Sequence, residues 1–431
     1  MTTQWQNWSR TVTAYPARVL RPRSTDELCG MVRKAAEAEQ TIRAWGSGHS
    51  FTPAAATNGW ALDLSALSGF SDIDLTRRAV TVKAGTLLRD LNAALHTLGL
   101  ALENLGDIDT QTVAGAISTG THGTGARLGN LATQVLALEL VQPDGSVVRC
   151  SAEEKPDLFA AARVSLGALG VISTVTLRCV PRFVLAANEQ PEPIEQVLDT
   201  MQQAADANDH FEFFMFPYGC KALVKRNNRT ADEPAPLSWA AEFLSYELIE
   251  NRAFAALCRL GRTVPASVKP AGRIADAVLS ARAYRDWSYR VFATPRKVRM
   301  VESEYAIPRG ALAEVLTALR SLYGRLATPV AFPVEVRFSA SDEIWLSPSY
   351  DRETAYVAVH QFEGMPYLEY FREFEAIARA AGGRPHWGKL HTLASPELGA
   401  LYPRFDDFVR LRDELDPSRV FRNIYTDQVL P

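Results

Sequence analysis

Histidine and cysteine, the side chains that most often announce metal or redox chemistry, are scarce in this 431-residue chain, with seven of the first and five of the second. Cys29, Cys150, Cys179, Cys220 and Cys258 are scattered, and no two have metal-ligand or dithiol spacing. That speaks against a disulfide framework and suits reduced, mostly buried thiols in a cytoplasmic chain. With no His-x-x-x-His either, no metal site is expected. No run of about 18 apolar residues occurs, and the greasiest stretch, VSLGALGVISTVTLRCV (164–180), is broken by polar residues and Arg178. Membrane association, if any, is therefore peripheral. The start, MTTQWQNWSR, lacks the apolar core of a signal peptide. A basic stripe is missing too. The net charge of -3 on 46 basic and 49 acidic side chains gives no nucleic-acid surface.

What is present is enough chain for two domains, since one core stops growing near ~250–300 residues. In STDELCGMVRKAAEAEQ, Ser24 and Glu27 have capping-box spacing, and Leu28, Met31, Val32 and Ala35 form an apolar stripe, which predicts a helix followed by a strand, TIRAW. RRAVTVKAG reads as a strand. TLLRDLNAALHTLG after it is a helix with Leu87, Leu88, Leu91, Leu95 and Leu98 on one side and Gly99 at its end. VLALELVQPDGSVVRC is a hairpin, and DLFAAARVSLGALG reads as a helix. Near Pro181 the character changes to longer polar connections, among them a loose KRNNRTADEPAP, with strands HFEFFMFPYG, PVEVRFSA and TAYVAVHQF. A sheet-containing second domain is expected there, and RFDDFVRLRDELD returns to helix.

Two glycine loops carry the chemical signal. WGSGHS (45–50) and STGTHGTG (118–125) each hold small residues, hydroxyls and a histidine. Successive N–H groups in such turns form concave anion sites. One loop alone reads equally well as an ordinary tight turn, whereas two in one domain point to a phosphate-bearing cofactor. Neither has the Rossmann spacing or the Walker Lys-Ser/Thr.

RAWGSGHSFTPAAATNGWALDLSAL, ENLGDIDTQTVAGAISTGTHGTGARLGNLATQV, PVEVRFSA and GRPHWGKLHT resemble the vanillyl-alcohol-oxidase type of flavoprotein, in its aldonolactone oxidase and dehydrogenase branch, related to alditol oxidases. The likeness covers essentially the whole chain. GSGHS gives the superfamily, which includes cytokinin dehydrogenases, and HWGK gives the branch. The resemblance implies an α+β fold, with a two-part FAD-binding domain of PCMH type over 1–180, a cap domain on an antiparallel sheet with flanking helices over 181–395, and a segment 396–431 returning to the first domain. It also implies that His49 is joined covalently to the flavin 8α-methyl, against the plainer reading of a histidine packed at the ring edge. Gly46, Ser47, Gly48 and Ser50, with Thr112, Gly115, Ser118, Gly120, Thr121, His122 and Gly123, are then cofactor contacts, as are Gly170 and Ile172.

Glu335 and Arg337 alternate along a strand and so project to one face. On pattern alone they are as readily a surface ion pair. Gly388 lets the chain turn closely before Lys389, a candidate proton acceptor or charge stabiliser. The resemblance places Glu335, Arg337 and Lys389 together above the flavin, with Arg337 and Lys389 polarising and deprotonating a substrate hydroxyl and Glu335 orienting them; which of the two cations takes the proton stays open. It puts His360 in the substrate pocket, where sequence alone suggests a core histidine, and His386 beside it. His96 and His210 read as surface or interdomain residues. The activity implied is oxidation of the C2 hydroxyl of an aldono-1,4-lactone, with electrons passing to oxygen or to a cytochrome- or quinone-type acceptor. An alditol oxidase acting on xylitol or sorbitol is the rival, and a flavin-binding protein without turnover is the alternative of another class.

Overall fold

The computed structural model describes residues 4–272 and 279–431, so the first three residues of MTTQWQNWSR lie outside it. The helix Thr25–Glu37 begins as its sequence requires. Ser24 Oγ accepts from the Glu27 N–H at 3.2 Å and the Glu27 carboxylate accepts from the Arg23 N–H at 2.8 Å, while Leu28, Val32 and Ala35 are buried. Beside it lies a parallel three-stranded sheet in the order Arg18–Leu20, Trp60–Asp63, Ile42–Trp45. A five-stranded antiparallel sheet follows, ordered Val147–Ser151, Val135–Val141, Val171–Arg178, Ala79–Lys83, Phe70–Asp74. The helix Leu88–Thr97 buries Leu88, Leu91 and Leu95, and Gly99 behind it takes φ +76°.

Two expectations need correction. The helix in DLFAAARVSLGALG stops at Pro156–Ala162, and the chain turns through left-handed Leu166 and Gly167. The reason is the buried guanidinium of Arg43, which donates to the carbonyls of Leu166 at 2.6 Å and Gly167 at 3.3 Å. A continued helix would have used those carbonyls itself. KRNNRT is no loop but the end of the strand Lys221–Thr230, polar because its partners are polar. Arg226, for instance, reaches Glu192 at 2.5 Å, and Asn228 donates to Asn208 at 2.8 Å.

The cap is an eight-stranded antiparallel sheet in the order Arg282–Trp287, Val184–Pro193, Lys221–Thr230, His210–Met215, Val334–Ser339, Thr354–Phe362, Met300–Pro308, Arg384–Pro385. Its two faces differ. Phe213, Val224, Val336, Val357 and Tyr305 occupy one face, fully buried, where helices Ile194–Ala207 and Leu368–Ala380 pack. Across the other runs a row in register, Arg282, Glu189, Lys225, Glu212, Arg337, one residue from each of five neighbouring strands. Signs alternate along it. The contacts are 2.7 Å for Arg282–Glu189, 3.9 Å for Lys225–Glu189, 3.6 Å for Lys225–Glu212 and 3.0 Å for Arg337–Glu212.

The C-terminal segment packs back on the first. Ile42 N–H donates to Val420 O at 2.8 Å, and Asn423 Nδ2 donates to the carbonyls of Pro53, Ala54 and Ala56. Among the described residues no helix is long and apolar enough to cross a membrane. Removing a buried charge from the row strands its neighbours, which costs about 3–5 kcal/mol. Glu189→Ala is expected to lose stability on that scale in urea unfolding; a loss under about 1 kcal/mol would mean the row behaves like an exposed pair.

Candidate active site

The loop after Ile42–Trp45 leaves the strand and turns at Gly48, φ +71°. Among the described residues the N–H groups of Ser47, Gly48, His49 and Ser50 meet no protein acceptor. Opposite lies the short helix Val113–Ser118, with Thr112 Oγ1 accepting from Gly115 N–H at 3.2 Å. The approach is close, because a Cβ on Gly46 would sit 2.7 Å from Thr112 Oγ1. Between them is a cleft lined by Gly46, Ser47, Gly48, His49, Ser50, Thr112, Gly115, Ser118, Gly170 and Ile172. Free donors along a narrow, glycine-walled cleft are what a pyrophosphate needs, so the residues fit a dinucleotide cofactor. Thr121 and His122 face a second cavity instead. Gly120 and Gly123 line neither and shape the loop, with Gly120 at φ +76° and a Cβ on Gly123 falling 2.4 Å from both Asn104 Oδ1 and Leu105 O.

The second cavity, about 590 Å³, meets the cleft at His49 and Ser50 and is of small-molecule size. Its roof is the charged face of the cap sheet. Two sets of contacts fix the roof over the floor. Thr124 Oγ1 donates to Phe211 O and Gly125 N–H to Phe338 O, and Phe51 N–H donates to Gly388 O at 2.7 Å. His210, read from sequence as surface or interdomain, is buried and its Nδ1 bonds Thr124 O at 2.8 Å.

Glu335, Arg337, Lys389, His360 and His386 all line this cavity. The Arg337 guanidinium contacts Glu335 directly, Glu212 at 3.0 Å and Asp107 at 3.4 Å. Burial works against its charge, but those carboxylates outweigh it and hold Arg337 well above its ordinary range. Lys389 Nζ lies 2.5 Å from Glu302 and 3.9 Å from Glu304. Burial again opposes the charge, and the two carboxylates raise the lysine nevertheless. Both groups are therefore cations at neutral pH. Glu335 behaves in the opposite way: burial raises its carboxyl above the usual range despite Arg337. His360 donates from Nδ1 to Pro333 O at 3.0 Å, its Nε2 stands 3.4 Å from Glu302, and that carboxylate raises it against burial. Burial pushes His386 down to about 4, and its Nδ1 accepts from Gly388 N–H at 3.1 Å.

His49 stacks on Trp8, ring centroids 5.7 Å apart, and its Nε2 lies 2.9 Å from Thr110 Oγ1. Burial, then the charge of Lys389, lowers it to about 4, so the ring is neutral.

Sequence reasoning missed Glu302, Glu304, Asp107, Glu212 and Arg296, all of which help set these charges. The signal existed for two of them, since VESEY alternates Glu302 and Glu304 as PVEVRF alternates Glu335 and Arg337. Nor does spacing reveal that His122, Glu304 and His386 bring ligand-type atoms within 4.8 Å of one another. His122 Nε2 pairs with Glu304 at 2.9 Å, and the ring stacks on Tyr356 at 3.5 Å.

A glycine-walled cleft for a dinucleotide, opening at a histidine into a cavity roofed by buried charges, defines a flavoprotein, and residues 16–151 match the FAD binding domain family. Residues 175–429 match the D-arabinono-1,4-lactone oxidase family, and the chain belongs to it. It is 43% identical to the L-gulono-1,4-lactone dehydrogenase of Mycobacterium tuberculosis (strain ATCC 25618 / H37Rv) over 426 residues, 99% of each chain. It is 34% identical to the L-gulonolactone oxidase of Mus musculus, over 99% of this chain and 98% of that one. The alditol oxidase of Streptomyces sp. is also 34% identical, over 100% of both. A solvent-stable cholesterol oxidase shares the fold, with TM-score 0.83 at 20% identity over 99% of this chain and 97% of that one.

Gly123→Ala forces the loop away from Asn104 and Leu105, an overpacking cost of about 1–3 kcal/mol. The purified variant is expected to carry less flavin per protein, read from absorbance. Full flavin content with unchanged melting would show that the loop accommodates the methyl group.

Proposed function

We propose that the chain oxidises the C2 hydroxyl of an aldono-1,4-lactone, of the L-gulono-1,4-lactone type, to the keto-lactone. The observation that carries this reading is the convergence of Glu335, Arg337, Lys389 and His360 on the cavity that opens at His49. The names of the relatives supply the substrate class. The bound FAD provides a two-electron hydride acceptor. The loops at 46–50, 112–123 and 170–172 hold it, and His49 carries it covalently. Residues 1–180 and the returning 396–431 form the flavin-holding part, and 181–395 the cap.

The protein's own part follows from the charges. Arg337 and Lys389, fixed as cations, orient the lactone hydroxyls and hold the negative charge that develops on the reacting hydroxyl oxygen as its proton leaves. Neither is a ready base, which changes the expectation that one of them takes the hydroxyl proton. Glu335 is the carboxylate with raised proton affinity and is assigned that step. His360 and His386 bound the substrate side. Electrons then leave to oxygen or to a cytochrome- or quinone-type acceptor, in the cytoplasm or at a membrane surface.

The alditol oxidase relative favours one second reading, a polyol such as xylitol as substrate. Anaerobic mixing of the yellow protein with each compound separates the two, by bleaching of the flavin band near ~450 nm. Bleaching by L-gulono-1,4-lactone is expected. Rapid recovery in air identifies an oxidase and slow recovery a dehydrogenase. Bleaching only by xylitol selects the second reading, and bleaching by neither removes both. Glu335→Gln, Arg337→Ala and Lys389→Ala are each expected to keep the flavin and slow its reduction roughly 10²-fold or more; near wild-type rates would take the residue out of the mechanism.

A further inference from the structure

We propose that Thr110 is the positioning residue that prepares His49 for bonding to the flavin, an inference that rests on the covalent reading above. A histidine can form that bond only as a neutral ring with a lone pair on the attacking nitrogen. The first condition is met because the ring is buried and faces the Lys389 cation, which keeps it neutral. The second is the part assigned to Thr110, whose hydroxyl oxygen, 2.9 Å from Nε2, is placed to accept the proton carried there. Nδ1 is then the lone-pair nitrogen, and among the described residues it has no protein partner. Trp8, stacked at an interplanar angle of 25°, fixes the plane of the ring where the cleft meets the cavity.

Bond formation joins His49 Nδ1 to the 8α-carbon and breaks one C–H bond there. One proton leaves that carbon and one leaves Nε2. The electron pair passes through the ring to dioxygen, which takes both protons and becomes hydrogen peroxide. Thr110 serves at both ends of the change. Its oxygen accepts from Nε2–H before the bond forms, and its O–H donates to the bare Nε2 afterwards. Valine can do neither, and serine can do both.

The test uses purified holoprotein, precipitated in acid, with the flavin fluorescence that stays on the polypeptide measured in a denaturing gel. Wild type and Thr110→Ser are expected to retain it. Thr110→Val is expected to bind flavin in the native state yet retain about tenfold less after acid, the upper scale of one lost hydrogen bond between neutral groups. Thr110→Ala gives the same comparison if the valine variant fails to fold. Equal retention in wild type and in the hydroxyl-free variants overturns the role of Thr110 alone. Release of the flavin from wild type itself overturns the covalent reading and this inference with it.

Discussion

Five charged side chains lie in one row across the cap sheet, Glu189 and Arg337 buried and the other three largely shielded from solvent, each within reach of an opposite charge on the next strand. Burying a lone charge costs several kcal/mol, so the row tolerates no slip in register. A shift of one residue would turn the charges into the apolar layer under helices Ile194–Ala207 and Leu368–Ala380 and expose Phe213, Val224 and Val336 in their place. The row ends at Arg337, where Asp107 and Glu335 join it. Arg337 is therefore held by the same pairing that sets the sheet, and Lys389 by Glu302 and Glu304 on the strand Met300–Pro308. Carboxylates around Arg337 and Lys389 keep both charged, and Glu335, raised first by burial and then by Asp107 and Glu212, holds its proton more readily.

The lower half of the site obeys a different constraint, that of a backbone which must come close. Gly46 faces Thr112, Gly123 faces Asn104 and Leu105, and Gly388 faces Ser50. Each contact leaves room for hydrogen but not for a freely placed methyl group. Distant parts of the chain then close around the loop. Arg43 gathers carbonyls from Ala54, Leu166, Gly167 and Phe421, and Asn423 gathers three from 53–56. Buried polar groups with this many partners drawn from distant segments favour one arrangement of the chain. His49, at the junction, is held by Thr110 and Trp8 between the two halves.

Most of the framework was legible from local rules. The capping box at Ser24 and Glu27, the leucine stripe from Leu88 to Leu95, the PDG hairpin and the two glycine loops each have a short-range cause, and each stands where the pattern puts it. The failures share a long-range cause. The helix after Pro156 ends early because Arg43, more than a hundred positions upstream, takes its carbonyls. KRNNRT looks like a loop until its partners are known, and Glu302 and Glu304 look like solvated acids until Lys389 and His122 arrive beside them. The helical run from Trp239 to Thr263 was missed for another reason. Its middle, Phe243–Ala253, is π-helical, and apolar residues spaced four to five apart at 239, 243–244 and 248–249 fit neither the helix nor the strand period.

The central claim is that flavin and substrate meet at the junction of the two cavities, between His49 below and the end of the charged row above. A crystal structure of the holoprotein soaked with L-gulono-1,4-lactone tests it most directly. The account predicts the 8α-carbon of the flavin bonded to His49, and the lactone between the ring and Arg337, Glu335 and Lys389. A flavin ring lying away from His49, or a lactone making no contact with those three side chains, would contradict it.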